Sequence, residues 1–234
     1  MLINADAKAL EWLAATYLSK DKVAYSEIIA GTDQHSDNQK RLNLPTRLIA
    51  KTFLFRLIYG GSAYAYANDP EFNHISQSDK YWQKLIDEFY SKYSGLHKWH
   101  GDLMREVIRN GKIVMPTGRE YAYTKIKGEW PRTTILNYPV QGFGADLMAI
   151  ARVSLHRRMR ATSLHSKLIG TVHDSIVIDS PENEVDTVVN MLQAVWKDIP
   201  LNFERLFKSN FNLPCKVEIS VGRDWHNMTE LEIK

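Results

Sequence analysis

The 234-residue chain is 44% hydrophobic and 24% charged, a composition typical of a soluble globular protein with a sizeable core. Its net charge of +3 is too small to indicate a nucleic-acid partner without help from motifs. The single cysteine, Cys215, excludes an intramolecular disulfide, and no Cys/His spacing resembles a zinc site. No apolar run is long enough to cross a bilayer and the N-terminus lacks the cations of a signal peptide, so we expect a cytoplasmic protein.

The first elements predicted are a strand at residues 2–6 and a helix at residues 9–18. Asp6 therefore lies at the end of a strand, where ligand-binding residues are common, and Glu11 in the first helical turn would point at the same space. An Asp in such a position, taken alone, is more often an ordinary helix N-cap. The polar stretch that follows contains His35, which on its own indicates no function.

Residues 44–61 (LPTRLIAKTFLFRLIYGG) are predicted to form a helix with two different faces, with Pro45 in its first turn and a left-handed exit at Gly60. Cations are disfavoured near a helix N-terminus, so an anionic ligand such as a chain of phosphates would suit the cationic face. A solvated basic face is the alternative. Side chains four apart form that face, namely Arg47, Lys51, Phe55 and Tyr59, and the other face is typical of a core, namely Ile49, Ala50, Phe53 and Leu57.

The middle of the chain is predicted to be mostly helical and is locally basic. One long helix or a pair of helices is expected at about residues 78–110, and a hairpin with its turn at 116–118 is expected at residues 112–123. A further helix is expected at residues 137–159, entered through Pro139. Residues 97–132 hold eight Lys/Arg against four Asp/Glu, which is consistent with solvated charge or with a nucleic-acid partner.

Residues 168–179 (LIGTVHDSIVID) are predicted to form a hairpin with the polar trio His-Asp-Ser at its tip, although such a turn needs no function. A helix at residues 182–196 and an edge strand at residues 215–221 are expected to follow. If the hairpin and the first strand are neighbours in one sheet, Asp6 and Asp174 would lie close together. Divalent cations would relieve the repulsion of two such carboxylates, and Mg²⁺ is the expected ion.

Three spaced motifs resemble the DNA polymerase I family, also called family A, and within it the phage replicative branch. The first, Asp followed five residues later by Glu, is matched by ADAKALEW, and the second, Arg-x3-Lys-x3-Phe/Tyr-x3-Tyr-Gly, is matched in the helix. The third, His-Asp-Glu in an apolar hairpin, is matched except that Ser175 stands where the family has a second acid. The matching positions are Asp6, Glu11, Arg47, Lys51, Phe55, Tyr59, Gly60, His173 and Asp174.

Other segments extend the resemblance over nearly the whole chain. Asn137 and Gln141 match an Asn-x3-Gln that precedes a helix, and VGRDWHNM is similar to the closing segment of the family. His35 precedes Arg47 by the interval of the phage members. Lys8 departs from the pattern, because a small residue is usual there.

The resemblance implies a two-metal nucleotidyl transfer site. Asp6, Asp174 and the backbone carbonyl of Ala7 would hold two Mg²⁺ ions, for which Mn²⁺ could substitute. Arg47, Lys51 and His35 would bind the triphosphate, and Lys51 would also protonate the departing pyrophosphate. The other implied roles are packing on the sugar by Phe55, contact with the new base pair by Tyr59, exclusion of a ribose 2′-hydroxyl by Glu11, and contacts to the DNA by Asn137, Gln141, His173 and Arg132.

The resemblance also implies the fold and the partners. We expect an α+β fold, with a mostly antiparallel palm sheet at residues 1–20 and 131–234 and helical fingers at residues 21–130 that carry the nucleotide-binding helix 44–60. The partners would be a DNA primer-template, dNTPs, and an upstream segment or second polypeptide that supplies a thumb. If the chain is phage-encoded, its location would be the host cytoplasm.

The function expected is therefore that of the palm and fingers of a template-directed DNA polymerase. The alternative is a non-catalytic nucleic-acid-binding remnant, which Ser175 and the missing thumb would favour. A metal-dependent nuclease is disfavoured, because the acids occur together with a triphosphate-type helix.

Overall fold

The computed structural model describes residues 1–232 and has an α+β architecture. It divides into two compact units, which we call the sheet unit (Met1–Leu10 and Gly142–Lys234) and the helical unit (Glu11–Gln141). Within the described part of the chain, no helix is both long enough and apolar enough to span a membrane.

The elements of residues 1–232 are numbered in chain order. They are β1 (Leu2–Ala7), α1 (Leu10–Ser19), α2 (Lys22–Ala30), α3 (Gln34–Arg41), α4 (Arg47–Ile58), α5 (Ala63–Asn68), α6 (Asp79–Lys92), α7 (Ser94–Asn110), β2 (Lys112–Val114), β3 (Glu120–Ala122), α8 (Arg132–Ala161), β4 (Lys167–Val172), β5 (Ser175–Asp179), a 3-10 turn (Glu182–Glu184), α9 (Val185–Lys197), α10 (Ile199–Phe207), β6 (Val217–Gly222) and β7 (Met228–Glu230).

The sheet unit is built on an antiparallel sheet with the strand order β4-β5-β1-β6-β7. β1 is the central strand, and its alternate residues Ile3, Ala5 and Ala7 are buried. Helix α9 packs against β1 and β6. The predicted α+β class with a mostly antiparallel sheet is thereby confirmed.

One predicted feature of this sheet is wrong, because β6 is not an edge strand. It lies between β1 and the three-residue strand β7, with Val221 opposite Thr229. A strand of three residues is too short to show a period of two, so the sequence pattern did not reveal the neighbour that covers β6.

The helical unit has an aromatic core around α4. Phe53 of α4 packs against Tyr66, Trp82 and Phe89, with ring centroids 4.9 to 6.3 Å apart. The hydroxyl of Tyr66 donates to the carbonyl of Phe53 at 2.8 Å, so this buried polar group is satisfied. The predicted core face of α4 is buried, and Leu54 and Ile58 are buried beside it.

The limits of two predicted helices need correction. Helix α4 begins at Arg47 and is capped by Thr46, whose hydroxyl accepts the N–H of Ile49 at 3.1 Å, so Pro45 lies before the helix. Helix α8 begins at Arg132, and Pro139 lies inside it. A proline within a helix removes one backbone donor, and the long packed helix tolerates that loss.

The helical unit contains one helix pair and one helix that the sequence patterns did not resolve. The long helical region is a pair, α6 and α7, which is interrupted at Tyr93. The polar stretch near His35 contains a helix, α3, that was not predicted, because its sequence QHSDNQKR has no apolar period.

Gly60 ends the segment after α4 with a φ of +82°, as the left-handed exit predicted. A Cβ at this position would lie 2.7 Å from Cδ1 of Leu136, so both the backbone and the space favour glycine. Gly118 has the same φ of +82°, but a Cβ there would meet nothing within 4 Å.

Alanine substitutions at Gly60 and Gly118 distinguish the cost of a left-handed backbone from the cost of crowding by neighbouring atoms. Gly118→Ala should lower the free energy of unfolding by about 1–2 kcal/mol through left-handed strain alone. Gly60→Ala should lower it by about 1–3 kcal/mol more, because the new methyl group overpacks against Leu136. Urea denaturation measures both values, and equal losses in the two variants would contradict the close packing at Gly60.

Candidate active site

The sheet unit brings Asp6 and Asp174 to the same end of the sheet. β1 and β5 are antiparallel, and their register pairs Asp6 with Ser175. Asp174 immediately precedes Ser175, and its carbonyl accepts the N–H of Ala7 at 2.9 Å. The two acids that are 168 residues apart in sequence therefore lie on adjacent strands.

The hairpin that carries Asp174 turns sharply. His173 and Asp174 form a two-residue turn between β4 and β5, since Val172 pairs with Ser175. His173 is exposed and has a φ of +52°, a conformation that is uncommon for a residue with a side chain. Tight two-residue hairpins favour such a positive φ, so the turn at His173 fits a sharp reversal that leads directly from Asp174 into β5.

Ser175 is used inside the hairpin. Its side chain is only 6% exposed, and its hydroxyl donates to the carbonyl of Val172 at 3.0 Å. The hydroxyl therefore closes the turn, and at this position the hairpin offers no second carboxylate next to that of Asp174.

A third acid lies on the other side of Asp6. Glu218 of β6 is paired with Asp6 across the sheet, and Lys8 forms an ion pair with it. Lys8 is also fixed by its backbone N–H, which donates to the carbonyl of Lys216 at 3.0 Å. Lys8 thus matches the charge of the Glu218 carboxylate.

The donor chemistry of this end of the sheet fits a hard divalent cation. Asp6 and Asp174 supply carboxylate oxygens, which Mg²⁺ prefers, and Mg²⁺ in enzymes is commonly held by one or two carboxylates with phosphates and water. Among residues 1–232 there is no cluster of three or more His, Cys, Asp or Glu side chains that could hold a metal ion. Further oxygen ligands would therefore come from the backbone, from water and from a substrate.

The helical unit brings together His35, Arg47, Lys51 and Phe55. The ammonium group of Lys51 lies 5.8 Å from the centroid of the Phe55 ring, and the imidazole of His35 lies 5.8 Å from the same ring. Arg47 is exposed and forms two hydrogen bonds with Asp33, from Nε at 2.8 Å and from Nη2 at 3.1 Å. The predicted cationic face is present, and Asp33 is an additional acid beside it that the sequence patterns did not indicate.

The charge state of His35 follows from its surroundings. Burial and the nearby Arg47 guanidinium lower the pKa of His35 below its usual range, although Asp33 opposes this. His35 is therefore neutral at pH 7. Its Nδ1 is buried and has no hydrogen-bond partner among the described residues. A neutral imidazole can donate one hydrogen bond to a ligand but adds no positive charge.

At the other end of α4, Tyr59 meets Glu11 and Gln141. Burial, with the carboxylate of Glu11 nearby, raises the pKa of Tyr59 to about 12, and a hydrogen bond with the side chain of Gln141 opposes the rise. Asn137 lies one turn before Gln141 on α8, and Arg132 is exposed at the first residue of that helix. Glu11 of the first motif, Tyr59 of the helix motif and Gln141 of the Asn-x3-Gln motif thus meet within the helical unit.

Asp33 is the main residue that the sequence analysis missed. It is the N-cap of α3, where its side chain accepts the backbone N–H groups of His35 and Ser36. An Asp two residues before a candidate His is a recognisable capping pattern, but the polar helix after it hid the signal.

The chain is similar in sequence to several known proteins. The model of a family described as DNA polymerase family A matches residues 1–227. DNA polymerase I of Chloroflexus aurantiacus is 25% identical over 242 residues, which cover 98% of this chain and 24% of that protein. The DNA polymerase of Bacillus phage SP01 is 24% identical over 194 residues, which cover 80% of this chain and 21% of that protein. The chain therefore spans about a quarter of the length of such relatives.

A solved structure has the same fold. It is described as the POL domain of Pol1 from M. smegmatis in complex with DNA primer-template and dNTP. The TM-score is 0.81 at 20% sequence identity, and the match covers 96% of this chain and 40% of that chain. At this level of identity the likeness establishes the fold.

The electrostatic surroundings of His35 can be tested directly. Arg47→Ala should raise the pKa of His35, because it removes a neighbouring cation and leaves Asp33 as an uncompensated anion beside the imidazole. An NMR titration of the imidazole signals measures this shift. Arg56→Ala is the matched control, since Arg56 is on the same helix but pairs with Asp69 and Glu71. A pKa of His35 that stays unchanged in Arg47→Ala, or shifts equally in the control, would contradict the contact.

Proposed function

Because the chain belongs to DNA polymerase family A, we propose that it forms the palm and fingers of a template-directed DNA polymerase that adds deoxynucleotides to a primer 3′ end. The sheet unit would be the palm and the helical unit the fingers. The observation that carries the proposal is the antiparallel pairing of β1 with β5, which brings Asp6 beside Asp174 at one end of the sheet.

In the palm, Asp6 and Asp174 would hold two Mg²⁺ ions, with the backbone carbonyl of Ala7 as a further ligand and Mn²⁺ as a possible substitute. Ions of this kind stabilise the charge on the attacking and leaving oxygens of a phosphoryl transfer. The two-residue turn and the hydrogen bond from the Ala7 N–H to the Asp174 carbonyl keep Asp174 next to β1, so the sheet itself would position the ligand pair. His173, exposed at the same turn, would contact the DNA.

In the fingers, Arg47 and Lys51 would bind the triphosphate of the incoming nucleotide, since guanidinium and ammonium groups make strong hydrogen bonds to phosphate. Lys51 would give its proton to the departing pyrophosphate. His35 is neutral and would donate a hydrogen bond from its imidazole. Phe55 lies against both Lys51 and His35 and would pack on the sugar.

The cluster of Glu11, Tyr59 and Gln141 would recognise the new base pair. Tyr59 remains protonated at neutral pH because its pKa is about 12, so its hydroxyl can keep the hydrogen bond with Gln141. The Glu11 carboxylate beside it would fill the space that a ribose 2′-hydroxyl needs. Asn137, Gln141 and Arg132 would contact template and primer without reading sequence, which suits an enzyme that accepts every base pair.

The complete activity would need the rest of the polymerase. The chain covers 24% of the Chloroflexus aurantiacus relative and 40% of the M. smegmatis POL chain. We propose that a thumb-bearing part, on the same polypeptide or on a second one, holds the DNA while this chain supplies the nucleotide and metal sites.

Primer extension by the polymerase that contains this chain tests the proposal. Asp174→Asn should lower the extension rate by about 10³-fold, because metal-based charge stabilisation is worth several kcal/mol. Asp179→Asn is the matched control and should leave the rate unchanged. Asp179 is an exposed acid at the end of β5 that is far from Asp174. Extension that survives Asp174→Asn would contradict the assignment.

The alternative function is that of a non-catalytic nucleic-acid-binding remnant, and the observation that favours it is the Ser175 hydroxyl closing the hairpin where an acid is expected. The same extension assay separates the two. Saturable DNA binding with no nucleotide incorporation by the unmodified protein would favour the remnant.

A further inference from the structure

The helical unit contains an anion that the proposed function does not use. The carboxylate of Asp33 accepts two hydrogen bonds from the guanidinium of Arg47, the residue that would bind the nucleotide triphosphate. Both side chains are about half exposed, at 55% for Arg47 and 45% for Asp33. The contact is therefore open to solvent and to a ligand from outside.

Carboxylate and phosphate compete for the same guanidinium donors. A guanidinium binds either anion through two parallel N–H groups, and Asp33 takes Nε and Nη2 of Arg47 in this way. A phosphate cannot bind that edge of Arg47 while Asp33 holds it. Binding through this edge would exchange one anion for another.

Asp33 is held in place independently of Arg47. Its Oδ1 accepts the backbone N–H groups of His35 at 3.1 Å and Ser36 at 3.2 Å, and its Oδ2 accepts the hydroxyl of Ser36 at 2.8 Å. These bonds cap α3, so the carboxylate stays at its position if the arginine leaves. Arg47 has the longer side chain with more rotatable bonds, so it is the partner that would move in an exchange.

The surroundings of the pair favour such an exchange when a polyphosphate arrives. Lys51, one turn from Arg47, is exposed and has no carboxylate partner among residues 1–232. A single phosphate at Arg47 replaces one anion by another, whereas a chain of phosphates also gains Lys51. The guanidinium of Arg47 holds the pKa of the Asp33 carboxyl well below its usual range, so Asp33 is charged and competes throughout the neutral pH range.

We propose that Asp33 tunes nucleotide affinity as a built-in competitor, occupying the guanidinium of Arg47 until the triphosphate displaces it. This inference rests on the proposed function, because it takes the cationic face of α4 to be the triphosphate site. Asp33 acts through Arg47 and needs no contact with the substrate.

Binding of inorganic tripolyphosphate to the full chain, measured by isothermal titration calorimetry, tests the proposal. Asp33→Asn should tighten binding by about fivefold, since exposed ion pairs of this kind are worth up to that factor. Asparagine is as good an N-cap as aspartate, so α3 should be retained and the thermal midpoint should change little. Unchanged or weaker binding in Asp33→Asn would overturn the proposal.

Two control experiments test whether any gain in tripolyphosphate affinity comes only from the change in net charge. Asp69→Asn raises the net charge by the same amount and breaks a similar pair, since Asp69 binds Arg56 of α4 at 2.8 Å and accepts the N–H of Glu71 at 2.8 Å. It should leave tripolyphosphate affinity unchanged. In an Arg47→Ala background, Asp33→Asn should lose its effect, because the competition needs the guanidinium. An equal gain in Asp69→Asn, or a gain that persists without Arg47, would overturn the proposal.

Lys51→Ala distinguishes failure of this inference from failure of the proposed function. If Lys51→Ala weakens tripolyphosphate binding while Asp33→Asn does not tighten it, the phosphate site stands and the competitor role is wrong. If neither the unmodified chain nor Asp33→Asn binds tripolyphosphate, or if Lys51→Ala has no effect, the phosphate site on α4 is wrong and the competitor role falls with it.

Discussion

The antiparallel register between β1 and β5 is the interaction on which the candidate active site depends. It sets Asp6 opposite Ser175, so Asp174 in the preceding turn lies next to β1. A shift by one residue would turn Asp6 to the opposite face of the sheet, because side chains alternate along a strand. Burial of Ile3, Ala5 and Ala7 on one face prevents that shift, so the apolar core of the sheet unit also fixes the position of its acids.

Helix α4 likewise combines packing with the residues of the proposed triphosphate site. Its apolar side is buried around Phe53, and this anchors the helix. Its other side keeps Arg47 and Lys51 in solvent near the helix N-terminus, a position that is unfavourable for cations. Asp33 relieves part of that cost at Arg47 and leaves the ammonium group of Lys51 exposed. In the role proposed for it, this one acid would adjust how strongly the helix attracts phosphate.

Ser175 and Lys8, the two residues that differ from the expected motifs, have local structural consequences. Ser175 closes the hairpin by donating a hydrogen bond from its hydroxyl to the Val172 carbonyl. An ionised acidic side chain could not make this bond, because a carboxylate only accepts hydrogen bonds. Lys8 forms an ion pair with Glu218, so one further acid beside Asp6 is matched by a cation. Both changes reduce negative charge at the end of the sheet where Asp6 and Asp174 lie, while the two carboxylates themselves are retained.

Local sequence patterns were enough to predict most of the regular elements and the residue types of the candidate site. A period of two in β1 and in the hairpin, and the two faces of α4, are local patterns that each segment carries alone. The short strand β7, the polar helix α3 and the early start of α8 carry no such pattern, and packing within each unit decided them. The meetings of Asp6 with Asp174, of Tyr59 with Glu11 and Gln141, and of Arg47 with Asp33 also required the tertiary structure. Motif spacing states which residues are present, but partners distant in sequence are chosen by strand register and helix packing, which no local window of sequence contains.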